Sequence, residues 1–383
     1  MTLSLPDYSL KVETDRFGPF VFQIGCEASQ IETLFLRVLD AQQRFSGSPF
    51  SQVAHLLEKE VVVSSVFGTN TIEGGTLSEE ETAQALELDP ADVQRTEQRR
   101  AVNIKTAYDL SGWVAESKDW HLNVDFFSTI HAALTDQIPD EYNEPGKLRN
   151  NPEGVITYVG DKQHGGQYKP PQLGRDIKKL LTALVRFNRE LSDRNIPVLI
   201  RAPLMHYHYE LIHPYWDGNG RVGRIIEATL LQAEGFRYAP FAQAGYYLKN
   251  IDQYFTLFNI CRKSVNKGRE FPITPFVLFF LEGMFESLNK LHDRVNDLVS
   301  TVLFENRLKR MLDEKTINAR QYAIVSQMLS SGNSISFRTL RQTPWYVVLY
   351  SKLTDKTRRR DFKGLEDLKL IVKDEHGEVW PWI

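Results

Sequence analysis

The twelve-residue segment HPYWDGNGRVGR, residues 213–224, constrains the fold more than any other part of the chain. Three of its residues are glycines, which let the backbone approach a ligand closely and tolerate positive φ. The residues that follow, RIIEATLLQAEGF, are mostly apolar and indicate a buried helix that ends at Gly235. The start of that helix has unpaired N–H groups and a positive dipole end, and Arg221 and Arg224 add positive charge there. This combination predicts a polyphosphate site.

The composition limits the class of protein. A chain of 383 residues, 42% of them hydrophobic, can bury one large core and a smaller domain. Its net charge of −3 gives no signature of a general nucleic-acid or membrane binder. Cys26 and Cys261 are too few for a disulfide framework, and neither the N-terminus nor the apolar run FVLFFL has the pattern of a signal peptide or a membrane span. We therefore expect a cytoplasmic protein with no membrane partner.

Helical periodicity dominates the chain. Residues 172–191 and 272–299 carry apolar residues at helical spacing and predict core helices. Ser78 and Glu81 form a capping-box pattern, and another helix is expected after Pro90. The exception is residues 154–171, GVITYVGDKQHGGQYKPP, whose β-branched and aromatic residues flank a Gly-Asp turn and predict a hairpin. The fold class is therefore mainly α.

The last part of the chain, residues 310–383, changes character. Short helical segments precede IVKD and VWPWI, which flank the turn EHGE, and this order resembles a winged helix. Its third helix offers cations that could meet DNA phosphates, namely Lys352, Lys356, Arg358, Arg359, Arg360 and Lys363. Glu366, Asp367 and the acidic turn oppose DNA, so the sequence favours a protein-contact module over DNA binding by residues 352–363.

Residues 213–224 also resemble the signature of the Fic domain family, H-[PF]-F-x-[DE]-G-N-G-R-x-x-R, with Tyr215 in place of the usual phenylalanine. So many fixed positions make the signature specific. The resemblance covers roughly residues 50–290, because IPVLIRAPLMHYHYELIHP resembles the helix that leads into the motif and the predicted hairpin resembles the family's flap. Pro203 departs from the usual leading helix, and we expect a kink or a break there.

The resemblance implies a Fic-type helical bundle with a β-hairpin flap, joined to a small C-terminal winged-helix domain. Three regions are expected: an N-terminal helical region with an inhibitory helix at residues 1–110, the Fic catalytic core at 111–300, and the winged helix at 310–383. A target protein would add a strand to the flap near residues 163–168, and a homodimer is compatible with this organisation.

Fic enzymes transfer AMP from ATP, their co-substrate, to hydroxyl groups of proteins. The resemblance makes His213 the general base and Asp217 the ligand of Mg²⁺. Asn219 and the neighbouring glycine N–H groups would form an anion hole, and Tyr254 would lie beside the adenine. The implied ATP-binding set is Glu73, Gly218, Asn219, Gly220, Arg221, Val222, Gly223, Arg224 and Tyr254. We expect transfer of AMP to Ser, Thr or Tyr of target proteins and of the chain itself.

A second motif, TNTIEGG at residues 69–75, fits the inhibitory pattern [ST]-x-x-x-E-[GN] of one class of Fic proteins. Gly74 and Gly75 would end the preceding helix, which places Glu73 at the negative end of the helix dipole, where a carboxylate needs a partner. The resemblance implies Arg224 as that partner, with the pair taking the place of the γ-phosphate. The alternative is a solvated Glu73 at a helix end.

Three alternatives remain open at this stage. His206, Glu210 and His213 have the spacing of a zinc site on one helix face, although Pro214 ends that helix. The same loop could serve UMP transfer, removal of AMP, or transfer of phosphate or phosphocholine. From another class, the chain could be a nucleotide-sensing transcriptional or adaptor protein that binds nucleotide without turnover.

Overall fold

The computed structural model describes residues 3–49, 53–117, 120–331, 335–376 and 378–383, which divide into two compact units. The first comprises Met1–Ser48 and Ala54–His292, and the second comprises Pro49–Val53 and Asp293–Ile383. Most of the expected regions 1–110 and 111–300 therefore lie within one unit. No described helix combines the length and the apolar character that crossing a bilayer requires.

The first unit opens with a hairpin rather than a helix. Strand β1 (Ser9–Glu13) pairs antiparallel with β2 (Pro19–Gln23), and Leu10 lies opposite Phe22. Phe20 and Phe22 are buried, which is the two-residue period of a strand that covers a core with one face. The expectation of a helical region at 1–110 is corrected for this segment. Five-residue strands are too short to stand out from the helical periodicity around them.

Helices build the rest of the first unit, which confirms the mainly α expectation. In chain order they are α1 (Ala28–Ser46), α2 (Ala54–Ile72), α3 (Glu79–Leu86), α4 (Thr96–Ala115), α5 (Val124–Thr135), α6 (Gly174–Asp193), α7 (Val198–Ile212), α8 (Asn219–Ala233), α9 (Ala239–Lys249), α10 (Ile251–Asn266) and α11 (Thr274–Asp313), the last of which continues into the second unit. The capping box is present: Ser78 Oγ accepts the Glu81 N–H at 3.1 Å, and the Glu81 carboxylate accepts the Ser78 N–H at 2.8 Å.

Helices α7 and α8 are buried along most of their length and position the loop between them. They approach closely at Gly223, where a Cβ would lie 2.6 Å from Glu210 Oε1 and 2.8 Å from His206 Cδ2. Helix α7 continues through Pro203, so the expected break does not occur. Packing on almost every side of α7 outweighs the roughly 3 kcal/mol that an interior proline costs.

Helix α2 ends as the sequence predicts. Its last residue is Ile72, and Gly74 follows in the left-handed region at φ +81°. Near its end α2 packs against α9 at Gly68, where a Cβ would lie only 3.1 Å from the Ala244 carbonyl carbon. The missing side chain therefore lets the two helices approach closely one turn before α2 ends.

The predicted hairpin at residues 154–171 is reduced to one antiparallel bridge. Val159 and Tyr168 exchange two backbone hydrogen bonds of 3.0 and 2.9 Å. An isolated two-stranded ribbon is marginally stable in water, and side chains of α10 support this one. Asn259 Nδ2 donates to the carbonyl oxygens of His164 and Gly166 at 3.0 and 2.8 Å. Residues 155–169 are called the flap below.

The second unit has its own core. Beyond α11 its elements are α12 (Ala319–Ser331), β3 (Ile335–Ser336), α13 (Phe337–Leu340), α14 (Pro344–Tyr350), α15 (Asp355–Asp367), β4 (Ile371–Lys373) and β5 (Glu378–Pro381). The strands form an antiparallel sheet in the order β3-β5-β4, and Leu308, Tyr350 and Leu365 are among the core residues. The element order agrees with the sequence pattern, and the winged-helix assignment stays a prediction. Gly377, in the predicted turn, lies outside the described residues.

Candidate functional site

The predicted polyphosphate loop joins the C-terminus of α7 to the N-terminus of α8. His213 caps α7 in the left-handed conformation, at φ 49° and ψ 64°, and its N–H donates to Tyr209 O at 3.0 Å. Gly218 precedes α8 at φ +80°, which glycine adopts without strain. Left-handed backbone is uncommon for other residue types. The two turns end α7 abruptly at Ile212 and begin α8 at Asn219.

Asn219 holds the shape of this loop. Its Oδ1 accepts the Tyr215 N–H at 2.9 Å, and its Nδ2 donates to Tyr215 O at 2.8 Å. The side chain is buried, so the predicted anion hole falls to the backbone N–H groups of the first turn. Val222 is not placed to bind ATP as predicted, because its side chain lies in the core and its N–H donates to Gly218 O at 3.0 Å.

His131 on α5 supports the loop from outside. Its Nδ1 accepts the Gly146 N–H at 2.9 Å, so Nε2 carries the proton and donates to Asp217 O at 3.1 Å. The ring stacks on Tyr215 with centroids 3.7 Å apart. Burial lowers the pKa of His131 to about 4, and the imidazole is neutral near pH 7. The sequence pattern does not reveal this residue, because a lone histidine in an apolar helix reads as core.

Arg149 is a second supporting residue that the sequence pattern does not reveal. Its fully buried guanidinium donates through Nε to His213 O at 2.7 Å and through Nη1 to Asn151 Oδ1 at 2.8 Å. Its backbone N–H donates to Pro214 O at 2.9 Å. Burial lowers the pKa of Arg149 to about 10, which still leaves it charged near neutral pH. Arg149 therefore fixes the backbone of His213 from 64 residues away.

Asp217 and Arg221 form an ion pair within the loop. Arg221 Nη2 lies 2.6 Å from Asp217 Oδ2, and the Asp217 side chain is 40% exposed. Burial raises the pKa of Asp217, but the charge and hydrogen bond of Arg221 outweigh it and hold the pKa below its usual range. The carboxylate is thus ionised and open to solvent, which suits Mg²⁺. In the part of the chain that the structure describes, no cluster of three His, Cys, Asp or Glu side chains could hold a metal. Mg²⁺ at Asp217 would therefore need phosphate oxygens and water, which it commonly takes.

Glu73 and Arg224 form a second ion pair, across 151 residues. Glu73 Oε1 lies 2.6 Å from Arg224 Nη2, and Arg224 is 3% exposed. Burial lowers the pKa of Arg224, but the Glu73 carboxylate outweighs burial and raises it above the ordinary value. The carboxylate lies against the first turn of α8, where a Cβ at Gly220 would collide with Oε1. It occupies the place where an anion would meet the helix N-terminus.

Tyr254 positions Arg224. Its hydroxyl lies 3.3 Å from Arg224 Nη1 and 3.0 Å from His206 Nε2, and its buried ring stacks on Tyr247. The ring lines the site cavity, although its hydroxyl faces the arginine. His206 Nδ1 lies 2.9 Å from Glu227 Oε2, so His206 is committed to a buried network. The zinc alternative at His206, Glu210 and His213 is therefore not formed.

A cavity of about 300 Å³ brings together Glu73, His213, Gly220, Arg224 and Tyr254. Phe255 and Phe258 supply an apolar wall, and flap residues 159–161, 164 and 168 line another side. His213 is 20% exposed, and its Nδ1 lies 3.6 Å from Glu210 Oε2, too far for a hydrogen bond. No described residue bonds this nitrogen. The arrangement offers an imidazole beside an anion site, with room for a ring between aromatic side chains.

The flap is tied to α10 by a histidine between two carboxylates. His164 Nδ1 lies 2.8 Å from Asp161 Oδ2, and Nε2 lies 3.0 Å from Asp252 Oδ1. Hydrogen bonds to Asp161 and Asp252 raise the pKa of His164. Lys263 Nζ also donates to Gly165 O at 2.6 Å. Side chains that lie far away in the sequence therefore set the position of the flap.

The fold and site define a helical protein in which a helix N-terminus that carries two buried arginines lies beside an imidazole. The Fic/DOC family model matches residues 121–231, and the chain contains a Fic/DOC domain. Two helices that contribute to the cavity lie outside the residues matched by the family model. They are α2, which Glu73 follows directly, and α10, which contains Tyr254.

Part of the chain is similar to curated proteins. Protein adenylyltransferase fic-1 of Caenorhabditis briggsae is 25% identical over 213 residues, which cover 54% of this chain and 39% of the relative. Protein adenylyltransferase Fic of Drosophila ananassae is 27% identical over 184 residues, which cover 47% of this chain and 34% of the relative. The chain thus matches well under half the length of these relatives.

Solved structures agree on the fold. A Fic domain containing signaling protein from Bacteroides thetaiotaomicron has a TM-score of 0.55 at 17% identity, covering 70% of this chain and 97% of that one. A Fic family protein from Desulfovibrio desulfuricans has a TM-score of 0.53 at 17% identity, covering 92% of this chain and 95% of that one. The predicted Fic-type, mainly α fold is confirmed.

Proposed function

We propose that the chain is a protein adenylyltransferase that transfers AMP from ATP to Ser, Thr or Tyr hydroxyls of target proteins and of itself, and that Glu73 inhibits it. The observation that carries the proposal is the placement of the Glu73 carboxylate on Arg224 and against Gly220, in the cavity that His213 also lines. An internal anion held at a helix N-terminus marks the place where a ligand phosphate would bind.

The phosphate side of the reaction falls to the first turn of α8. Backbone N–H groups of this turn and the buried guanidiniums of Arg221 and Arg224 would stabilise charge on the leaving pyrophosphate. Asp217 would hold Mg²⁺, which supplies charge neutralisation at the phosphates when it is bound. Phe255 and Phe258 offer apolar faces for the adenine.

The hydroxyl side falls to His213. The Nε2 of this imidazole would accept the proton of the incoming hydroxyl while the hydroxyl oxygen attacks the α-phosphorus and pyrophosphate leaves. Arg149, through the His213 carbonyl, and Asn219, through Tyr215, hold the backbone on either side. The target would lie along the flap as an added strand.

Inhibition follows from the charge of Glu73. A γ-phosphate next to Arg224 would meet the Glu73 carboxylate, so ATP would bind in an unproductive pose or not at all. Release of Glu73 would free the guanidinium for the phosphate. This mode of inhibition requires no change in the position of His213 or Asp217.

The test is incubation of the chain and of Glu73→Gly with ATP labelled on the α- or the γ-phosphate, followed by denaturing electrophoresis. We expect label from the α-phosphate alone to remain on protein, more strongly for Glu73→Gly. Label from the γ-phosphate would instead indicate phosphate transfer, and label from UTP alone would indicate UMP transfer. Nucleotide that binds under native conditions and leaves no covalent label would favour the sensor.

A further inference from the structure

One face of α15 carries cations at regular spacing. Lys356, Arg359, Arg360 and Lys363 follow the i, i+3, i+4, i+7 pattern of a single helix face, and all four are exposed. Lys352 is exposed just before the helix. The side chains therefore form one stripe along the outside of the helix, which we call the α15 cationic stripe.

The opposite face of α15 fixes the orientation of this stripe. Phe362 and Leu365 are buried in the core of the second unit. Asp361 is also buried, where it pairs with Arg320 at 2.8 Å and accepts the Tyr350 hydroxyl at 2.9 Å. Rotation of the helix would expose these groups, so the stripe must face solvent.

The stripe is not neutralised by its neighbours. Within the described ranges, its four residues take part in no ion pair, whereas Asp355 pairs with Arg358 at 3.3 Å. Asp374, in the acidic turn, accepts the N–H groups of His376 and Glu378 at 2.9 and 2.8 Å and so caps its own loop.

The net charge of the segment around the stripe is also positive. Residues 293–383 contain 16 Lys and Arg against 12 Asp and Glu, although the whole chain has a net charge of −3. The second unit is thus positive and the remainder of the chain negative. Such asymmetry is typical of chains with a polyanionic partner.

We propose that the α15 cationic stripe binds duplex DNA through its phosphates. With 13 residues, α15 is about 20 Å long, and a helix of about 10–12 Å diameter fits the major groove of B-form DNA. The major groove of A-form RNA is too narrow for such a helix. Asp361 is buried in its pair with Arg320 and does not face the stripe, whereas Glu366 and Asp367 are exposed beyond its C-terminal end. This proposal does not depend on AMP transfer.

The experiment is fluorescence anisotropy of a labelled mixed-sequence duplex of about 20 base pairs, titrated with the full chain between about 50 and 200 mM salt. We expect binding that weakens roughly 10-fold or more over this range. Arg359→Gln/Arg360→Gln should weaken binding roughly 10-fold and lower the slope of log affinity against log salt by about 2.

The matched control is Lys178→Gln/Lys179→Gln on α6, where two exposed lysines are removed from the first unit. This variant should bind like the unaltered chain, and both double variants should keep its melting temperature. The proposal is overturned if the chain fails to bind at the lowest salt, or if the two variants weaken binding equally. It is also overturned if polyglutamate or an RNA duplex competes as well as unlabelled DNA at equal charge.

Discussion

The loop at residues 213–224 and the flap line the same cavity, but they are held in different ways. Besides the buried supports His131 and Arg149, the loop has bonds of its own: Asn219 bonds both backbone atoms of Tyr215, and Arg221 pairs with Asp217. The flap has one backbone bridge, and its other supports come from α10. Burial follows the same division, since Tyr215 is 0% exposed and Tyr158 of the flap is 56% exposed.

Under the proposed function, this difference suits the two regions to different tasks. Chemistry at phosphorus requires groups fixed within a fraction of an ångström, and the loop has the buried, locally bonded structure for that purpose. A surface that receives varied protein strands needs open backbone edges and tolerance of small shifts. We expect substitutions in the loop to change the rate strongly and changes in the flap supports to have small effects.

The largest effect is expected at His213, which in the proposed mechanism acts on the hydroxyl and not on the phosphates. In the Glu73→Gly background, His213→Ala should reduce the initial labelling rate roughly 100- to 10,000-fold. ATP affinity, measured by calorimetry, should stay close to that of the parent, because the imidazole does not hold phosphate. Exposed His121, changed to alanine, is the matched control and should have no effect. Labelling by His213→Ala at nearly the parental rate would show that His213 is not the general base.

Asp217→Asn should have the second largest effect. Loss of the carboxylate removes the proposed ligand of Mg²⁺, whose charge stabilisation is worth several kcal/mol, so labelling should fall roughly 100-fold and require more Mg²⁺. Asp109→Asn is the matched control, because Asp109 forms an i,i+4 pair with Lys105 at 2.6 Å on α4. If Asp217→Asn keeps the parental Mg²⁺ dependence, the metal is held elsewhere.

Glu73→Gly should raise the rate roughly 10-fold, because it releases a charge-assisted hydrogen bond on Arg224. Glu73→Gln keeps the size of the side chain and loses its charge, so its labelling rate should lie between those of the unaltered chain and Glu73→Gly. Glu87 also lies at a helix end and pairs with a lysine, Lys59, at 2.7 Å, so Glu87→Gly is the matched control. A Glu73 that serves only to end α2 predicts an equal or lower rate with a lower melting temperature. That result in a folded Glu73→Gly protein would contradict autoinhibition.

The contrast between local bonds and contacts from distant segments also explains what could be predicted from the sequence. The loop signature lies in consecutive residues, so the pattern HPYWDGNGRVGR indicated the turn and the helix start together. The phosphate-type site that it predicts stays a prediction. The end of α2 at Gly74 was also a local signal. The pairing of Glu73 with Arg224 came from the family resemblance, since residues 151 positions apart leave no local trace.

What could not be predicted depends on contacts between distant segments. Arg149 and His131 act on His213 and Asp217 across 64 and 86 residues, and each alone resembles an ordinary core or surface residue. The role of Tyr254 as a support for Arg224 depends on how α10 packs. Asn219 was placed in the anion hole because the motif contains it, while its hydrogen bonds to Tyr215 are visible only in three dimensions.

The smallest effect is expected from the pH dependence of the flap. His164 lies between Asp161 and Asp252, with Lys263 and Arg262 of α10 nearby and the Phe255 ring against it. The two carboxylates raise its pKa. The His164 clamp, meaning its ion pairs with Asp161 and Asp252, is therefore fully present below the ordinary histidine pKa of about 6.5 and is lost as pH rises through the raised pKa.

Hydrogen exchange can compare the protection of the flap amides with that of the loop amides as pH changes. Between about pH 6 and pH 8, after correction for intrinsic exchange, protection of flap amides should fall about two- to fivefold, because exposed ion pairs are weak. In His164→Gln it should be low and independent of pH. Amides 215–222 should keep their protection in both proteins, since His131, whose pKa is about 4, remains neutral over this range. A pH-independent flap in the unaltered chain, or a loop that loosens in parallel with the flap, would contradict the distinction between a buried loop and a flap held by an exposed ion-pair cluster.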